Sequence, residues 1–307
     1  MKALVAGATG LIGRRLLQEL GGGVILGRDP TRARATLGDV EAFAWQPQDG
    51  PPPAEAFSGV DVVFHLAGEP VAAGRWTVSR KQAIRDSRVE GTKNLVRALE
   101  SLEQRPGVLV VASAVGYYGD RGDEELVEAS PQGSTFLAEV CGAWEAEANE
   151  AAALGLRVVT ARTGVVLAAE GGALARMLPP FRLGLGGPLG DGLQWMPWVH
   201  VDDVVGLLLH AASTGTVRGP MNVVSPNPVT NREFTRTLGR ALGRPTLLPV
   251  PRWGLRAAFG EMSQILVESQ RVLPETALES GYRFRFDDLG SALDSCLGKG
   301  GADTGES

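Results

Sequence analysis

Gly7, Gly10 and Gly13, inside "GATGLIG", restrict the chemistry of this chain more narrowly than any other spacing in it. The run "KALVAG" (2–7) before them is apolar and of strand length, and "LIGRRLLQEL" (11–20) after them has helical periodicity. A glycine turn between strand and helix lets a pyrophosphate approach the backbone, and the helix N-terminus then offers N–H groups and a favourable dipole. The spacing predicts a dinucleotide site at Gly7, Thr9, Gly10, Leu11, Ile12 and Gly13, with the Thr9 hydroxyl adding a contact. A tight turn with no ligand is the alternative. The next strand, "GVILG" (23–27), leads to Arg28, with Arg32 one turn on. An acidic residue at that strand end suits the ribose 2′-hydroxyl of NAD, whereas arginine suits the 2′-phosphate of NADP. Arg28 and Arg32 form a two-armed clamp that predicts NADP over NAD; Asp29, able to serve a ribose, is the counter-argument.

Groups able to move a proton are scattered. Cys141 and Glu145 stand four apart in a helical pattern and so share one face. A thiol can donate a proton, but a neighbouring carboxylate disfavours thiolate, and a buried cysteine is more often a small core residue. Tyr117 and Tyr118 follow a strand and offer phenols at the sheet edge where ligands bind, with packing as the alternative role. Glu69 follows "HLAG" (65–68) and is a candidate acid–base group beside a cofactor. Arg75, Trp76, Tyr118, Arg182, Trp195 and His200 are candidates for the substrate pocket, since arginine with tryptophan suits an anionic or ring-bearing small molecule. His200, between two valines, also suits a structural hydrogen bond. Arg162, at the end of a strand, is a further candidate cofactor contact.

The elements that must position these groups alternate. Strands are expected at 2–7, 23–27, 40–45, 60–68, 107–114 and 156–163, and helices at 11–20, 78–103 and 136–155. Apolar strands between helices imply an α/β, Rossmann-like, doubly wound parallel sheet, buried on both faces. After about residue 170 the pattern becomes irregular. Residues 179–198, rich in Gly and Pro, read as loop and short strand, and helices follow at 201–213, 232–243 (capped by Thr230 or Asn231) and over most of 251–272. The expected organisation is a nucleotide-binding domain over 1–165 with later segments (about 198–225) returning to the sheet. A small C-terminal substrate lobe follows over 166–298, then a disordered polar tail over 299–307.

Composition removes several function classes. The chain has 307 residues and a net charge of −5, which argues against a nucleic-acid partner. Two cysteines are too few for a disulfide framework, and three histidines lack metal-ligand spacing, so no metal is expected. No apolar run approaches membrane length and no signal peptide is recognisable, so a cytoplasmic protein with no membrane partner is expected. A small-molecule substrate is the expected partner, and a homodimer stays open.

Taken together, the motifs resemble the extended short-chain dehydrogenase/reductase family, which includes nucleotide-sugar epimerases and dehydratases. "GATGLIG", "HLAG", "GTKNLVRAL" (91–99), "ASAVGYYGD" (112–120), "PWVHVDDVV" (197–205) and "NVVSPNPVTNREF" (222–234) carry that resemblance over nearly the whole chain. "LAGEP", "SAVGYYGDRGDE", "FLAEVCGAWEAEA" and "MPWVHVDD" look like an atypical "epimerase family" branch with no settled substrate. The resemblance implies NADP binding, with Leu66, Ala67, Gly68 and Glu69 lining the cofactor and Ser113, or else Ala114, in the place of a catalytic hydroxyl. It implies hydride-transfer or epimerase-like activity on a small, anionic or sugar-nucleotide-like compound. The parent family pairs a tyrosine with a lysine four residues on, and no tyrosine here has one: Arg121 follows Tyr117, Gly122 follows Tyr118 and Phe286 follows Tyr282 at that spacing. Cys141 and Glu145 stand in the matching places, and Arg88 replaces an asparagine of the long helix. A catalytically silent NADP(H)-binding sensor or partner-binding protein is therefore the alternative function.

Overall fold

A computed structural model describes residues 1–299. In chain order the strands are β1 (Ala3–Ala6), β2 (Val24–Gly27), β3 (Glu41–Ala44), β4 (Val62–His65), β5 (Val108–Ala114), β6 (Glu125–Leu126), β7 (Arg157–Thr163), β8 (Val165–Leu167), β9 (Trp195–Met196), β10 (Trp198–His200), β11 (Gly219–Val223), β12 (Val229–Thr230) and β13 (Arg271–Val272). The helices are α1 (Leu11–Leu20), α2 (Pro30–Leu37), α3 (Val78–Ser101), α4 (Phe136–Ala153), α5 (Gly172–Arg182), α6 (Val201–Ser213), α7 (Asn231–Leu242), α8 (Arg252–Phe259), α9 (Gln264–Val267), α10 (Glu275–Glu279) and α11 (Leu289–Cys296).

Seven strands form one parallel sheet in the order β3-β2-β1-β4-β5-β7-β11. The order reverses between β1 and β4, and a ligand crevice forms at such a switch point, outside the carboxyl ends of the strands. Successive side chains point to opposite faces, and both faces are covered. Val5, Ile25, Phe64, Val110 and Val159 pack with α1 and α6; Leu4, Leu26, Val63, Leu109, Val111 and Val158 pack with α3 and α4. This double burial is why the strands are continuously apolar. A separate core of Leu174, Leu178, Phe181, Trp198, Phe234, Leu238 and Leu293 joins α5, β10, α7 and α11 into the C-terminal lobe.

The main differences from expectation are local. Residues 179–182 are the last turn of α5 despite Pro179 and Pro180. Burying Leu178 and Phe181 on the lobe core outweighs the lost backbone hydrogen bonds. Helix α2 was not expected; Asp29 caps it and Pro30 opens it. The segment 252–267 is broken by a short 3-10 turn over Gly260–Ser263. Lys299 donates through Nζ to the carbonyl of Ala241, and the rest of the expected tail, 300–307, lies outside the described residues. Among the described residues, no helix is long and apolar enough to cross a membrane.

One buried carboxylate ties the lobe to the sheet domain. Asp203, fully buried on α6, accepts hydrogen bonds from Tyr282 Oη (3.0 Å), Arg285 N (2.8 Å) and Phe286 N (2.9 Å). Asn at this place would turn an amide donor toward one of these donors. We expect Asp203→Asn to lower stability by about 2 kcal/mol. Urea unfolding checks this through a lower midpoint at unchanged slope.

Candidate functional site

The glycine turn closes β1 onto α1, and each glycine is required for a different reason. Gly7 has φ +86°, and a Cβ there would come within 2.7 Å of the Leu66 carbonyl carbon. A Cβ on Gly13 would stand 2.4 Å from the Gly7 carbonyl oxygen, so this glycine lets helix pack on strand. Gly10 has φ −73°, and its Cβ would meet only that same oxygen, at 3.2 Å. The internal packing is thus less demanding at Gly10, which is exposed; the closeness it permits is to something outside the chain. Helix α1 begins there with no side-chain cap, leaving its first N–H groups available. A groove of about 410 Å³ opens beside this turn, lined by Gly10, Leu11, Leu66, Ala112, Gly164 and Ala173 among others. The cradle, the uncapped helix and the apolar groove fit a dinucleotide.

At the end of β2 the two acid–base alternatives separate. Asp29 Oδ1 accepts the backbone N–H of Arg32 at 2.9 Å, so this carboxylate caps α2. Arg28 and Arg32 are exposed, and neither side chain has a hydrogen-bond or ion-pair partner among the described residues. The strand end thus presents two unengaged guanidinium groups, which suit a phosphate.

After β4 the chain runs through Leu66, Ala67 and Gly68 and is fastened to α3. Glu69 N–H donates to Ser87 Oγ (3.0 Å), and Arg88 Nη1 donates to the Glu69 carbonyl (3.0 Å). The Glu69 carboxylate accepts from Arg80 Nη1 at 2.7 Å, so it is held in an ion pair. Arg88, half-buried, lies under Gly68, where a Cβ would stand 3.1 Å from its Cζ, and its guanidinium lies 5.1 Å from the Trp144 ring centre. His65 beneath it is fully buried with neither ring nitrogen hydrogen-bonded among the described residues. Burial first, and the Arg88 charge second, push its pKa down to about 4.

The region of the expected proton-transfer pair holds a buried polar network. Arg162, on β7, donates Nε to Glu145 Oε1 (2.9 Å) and Nη2 to Oε2 (2.8 Å), a bidentate pair. Ser113, at the end of β5, donates to the same Oε1 at 2.6 Å. Arg162 Nη1 also donates to Tyr118 Oη and to the Glu128 carbonyl, both at 3.1 Å. Tyr118 Oη donates to Asn222 Oδ1 (2.7 Å). Burial works against the Arg162 charge, but Glu145 more than offsets it, and the guanidinium pKa is raised. Tyr118 is pushed up to about 12, by burial before all else. Cys141 is buried, and burial followed by the Glu145 charge pushes its thiol up to about 11. Tyr117, half-buried, stacks its ring 3.4 Å from the Arg162 guanidinium, and its hydroxyl makes no hydrogen bond among the described residues.

Several expected ligand-facing residues are engaged by partners within the protein. Arg162 and Tyr118 are enclosed in the network, because α4 brings Glu145, the turn after β6 brings Glu128 and β11 brings Asn222 around them. His200 caps α6, accepting Asp202 N–H at Nδ1 (3.2 Å), with its ring 3.9 Å from that of Phe286. Arg75 donates to the carbonyls of Ala257 and Ala258 at the end of α8. Trp76 donates to the Val71 carbonyl and packs edge-on against Phe136. Trp195 donates to Asp123 Oδ1 (2.9 Å) beneath Arg271. Arg182 is exposed at the end of α5, away from Gly172 and Ala173, which line the groove at its start.

Sequence reasoning missed the helix-capping role of Asp29, although Asp followed by Pro before "TRARATLG" is a helix-start signature. It also missed the groove wall at Thr163–Val166 and Gly172; the Gly-Gly pair 171–172 is the one signal for it. Glu128 and Asn222 carried no motif.

Residues 3–224 match the NAD dependent epimerase/dehydratase family, and residues 250–296 match a domain of unknown function, DUF1731. The chain is 38% identical over 301 residues to epimerase family protein SDR39U1 of Homo sapiens, covering 95% of this chain and 98% of that protein. It is 37% identical over 302 residues to epimerase family protein YfhF of Bacillus subtilis (strain 168), covering 97% and 98%. The crystal structure of human epimerase family protein SDR39U1 (isoform2) with NADPH superposes with a TM-score of 0.86 at 35% identity, covering 97% of this chain and 99% of that one. MoeE5 in complex with UDP-glucuronic acid and NAD, at 22% identity and a TM-score of 0.78 over 97% of this chain and 98% of that one, shares the fold.

Proposed function

Since the chain belongs to the NAD dependent epimerase/dehydratase family, we propose that it binds NADP(H) and carries out hydride transfer, as an oxidoreductase or epimerase-like enzyme, on a small, anionic or sugar-nucleotide-like compound. The observation that carries this reading is the end of β2. Asp29 is consumed as a helix cap while Arg28 and Arg32 stand unengaged. The human relative crystallised with NADPH supports the same choice. Gly7, Gly10, Leu11 and Ile12 would hold the pyrophosphate, Arg28 and Arg32 the 2′-phosphate, and Leu66 to Gly68 the nicotinamide side. The bound cofactor supplies the hydride chemistry.

The chain's own part is proton handling and orientation. Cys141 keeps its proton at neutral pH and is buried, which leaves it a packing role. Ser113 spends its hydroxyl proton on Glu145, so toward any substrate hydroxyl it would act only as an acceptor. Tyr117 Oη is the uncommitted proton carrier, and it is our assignment for the role.

Calorimetric titration tests the cofactor assignment. Arg28→Ala should weaken NADPH binding about tenfold or more while leaving NADH binding unchanged. Equal losses for both nucleotides, or no binding of either, would sink it.

A second reading has its own observation. The positions of the missing pair hold a buried thiol and a carboxylate already neutralised by Arg162, which suits a nucleotide binder without turnover. Oxidation of bound NADPH, followed by its fluorescence across a panel of carbonyl compounds, separates the two. Turnover that Tyr117→Phe removes supports the enzyme, and its absence across the panel supports the silent binder.

A further inference from the structure

The net charge of −5 conceals an uneven distribution. Between Glu233 and Glu261 lie five arginines (Arg236, Arg240, Arg244, Arg252, Arg256) and no acidic residue. Between Glu170 and Asp191 lie Arg176 and Arg182 and again no acidic residue. The fold brings these two stretches together. Val250 N donates to the Pro188 carbonyl and Gly190 N to the Val250 carbonyl, both at 2.8 Å, and the Gly187 backbone packs on Leu248.

Large apolar side chains stand out from the same two segments. Leu183 (75% exposed), Leu185 (60%), Leu247 (84%), Leu248 (62%) and Trp253 (77%) are five of the most exposed apolar residues of the chain. They form a lip flanked by Arg182, Arg244 and Arg256, which are all exposed, and by Arg252, paired with Asp191 at 3.6 Å. The lip lies at the far end of α5 from the cofactor groove, and an 11-residue helix spans about 16 Å. Leucine and tryptophan exposed together on two adjoining segments mark an interaction surface.

The charge decides among occupants. A second copy of the chain meeting the lip symmetrically would set arginines against arginines. An anionic surface would not, and it needs no matching shape to receive protruding leucines while arginine heads stay at its boundary. We propose that this lip docks the C-terminal lobe on an anionic lipid surface.

Co-sedimentation of the full chain with vesicles tests this. Binding is expected to vesicles in which phosphatidylglycerol replaces a third of the phosphatidylcholine, not to phosphatidylcholine alone, and to fall as salt is raised. Arg244→Glu with Arg256→Glu, and separately Leu247→Ser with Leu248→Ser, should each reduce partitioning on the order of tenfold or more. The urea midpoint of both variants should match that of the parent, because none of these side chains is buried. No partitioning into anionic vesicles would overturn the proposal, as would partitioning that both variants leave unchanged. Equal capture by soluble polyglutamate would assign the lip to an acidic polypeptide instead. Self-association abolished by the leucine substitutions, without vesicle binding, would assign it to a second copy.

Discussion

Replacing Arg162 with methionine should lower the stability of this protein by about 3–5 kcal/mol, the cost of leaving a buried carboxylate without its counter-charge. Glu145 receives two hydrogen bonds from Arg162 and one from Ser113, and both members of the pair are almost fully buried. The variant loses both guanidinium bonds while Glu145 stays in place. It also frees Tyr118 Oη and the Glu128 carbonyl from the partner they share. Glu145→Leu combined with Arg162→Met should recover most of the loss, because the pair's own attraction roughly balances the cost of taking two charges out of water. Urea unfolding of the single and double variants measures this. A single variant as stable as the parent would show that water reaches Glu145 and that the pair is not enclosed. The same proteins bear on function: if the double variant binds NADPH as the parent does, the pair takes no part in holding the cofactor.

A second large effect should appear in acid. His65 is fully buried without a hydrogen-bond partner, and its pKa falls from 6.5 to about 4. Below pH 6.5 the unfolded chain takes up a proton that the folded chain refuses. The stabilisation is therefore complete above pH 6.5 and is lost as pH falls toward 4. The loss amounts to roughly 2–3 kcal/mol between about pH 7 and about pH 4.5. His65→Leu, close in size and with nothing to protonate, should stay within about 1 kcal/mol of the parent near neutrality and lack this share of the acid limb. Urea titrations of both proteins at the two pH values give the difference directly, and parallel acid limbs would refute the assignment. Because the Arg88 charge acts on this histidine while its guanidinium lies against Gly68, the acid limb also reports on the surroundings of the nicotinamide side of the proposed site.

Two levels of legibility meet in this chain. The turn at Gly7–Gly13 could be read directly, because contiguous residues encode a backbone conformation and a glycine's freedom depends on its near neighbours. The parallel sheet was legible for the same reason, since runs such as "VILG" and "VLVVASA" are apolar at every step only when both faces are covered. The absence of a Tyr–Lys pair required no structure, since three tyrosines and four lysines can be checked one by one. Arg28 was placed by counting from the second strand.

Tertiary structure decided what those residues are free to do. Asp29 stood as the counter-argument for a ribose until its helix claimed it. Arg162 is 17 residues from Glu145, and Tyr118 is 104 from Asn222; the packing of α4 on β7 and the place of β11 in the sheet make them partners. Cys141 became an inert thiol because α4 turns it into the core. Tyr117 and Tyr118 are adjacent in sequence, yet one hydroxyl is spent on Asn222 and the other is left uncommitted. Even the charge needed the fold, because an acidic total says nothing about two arginine-bearing segments laid side by side. A backbone motif is a local property of the chain, whereas hydrogen-bond commitment, burial and surface potential depend on which distant groups arrive at the same place.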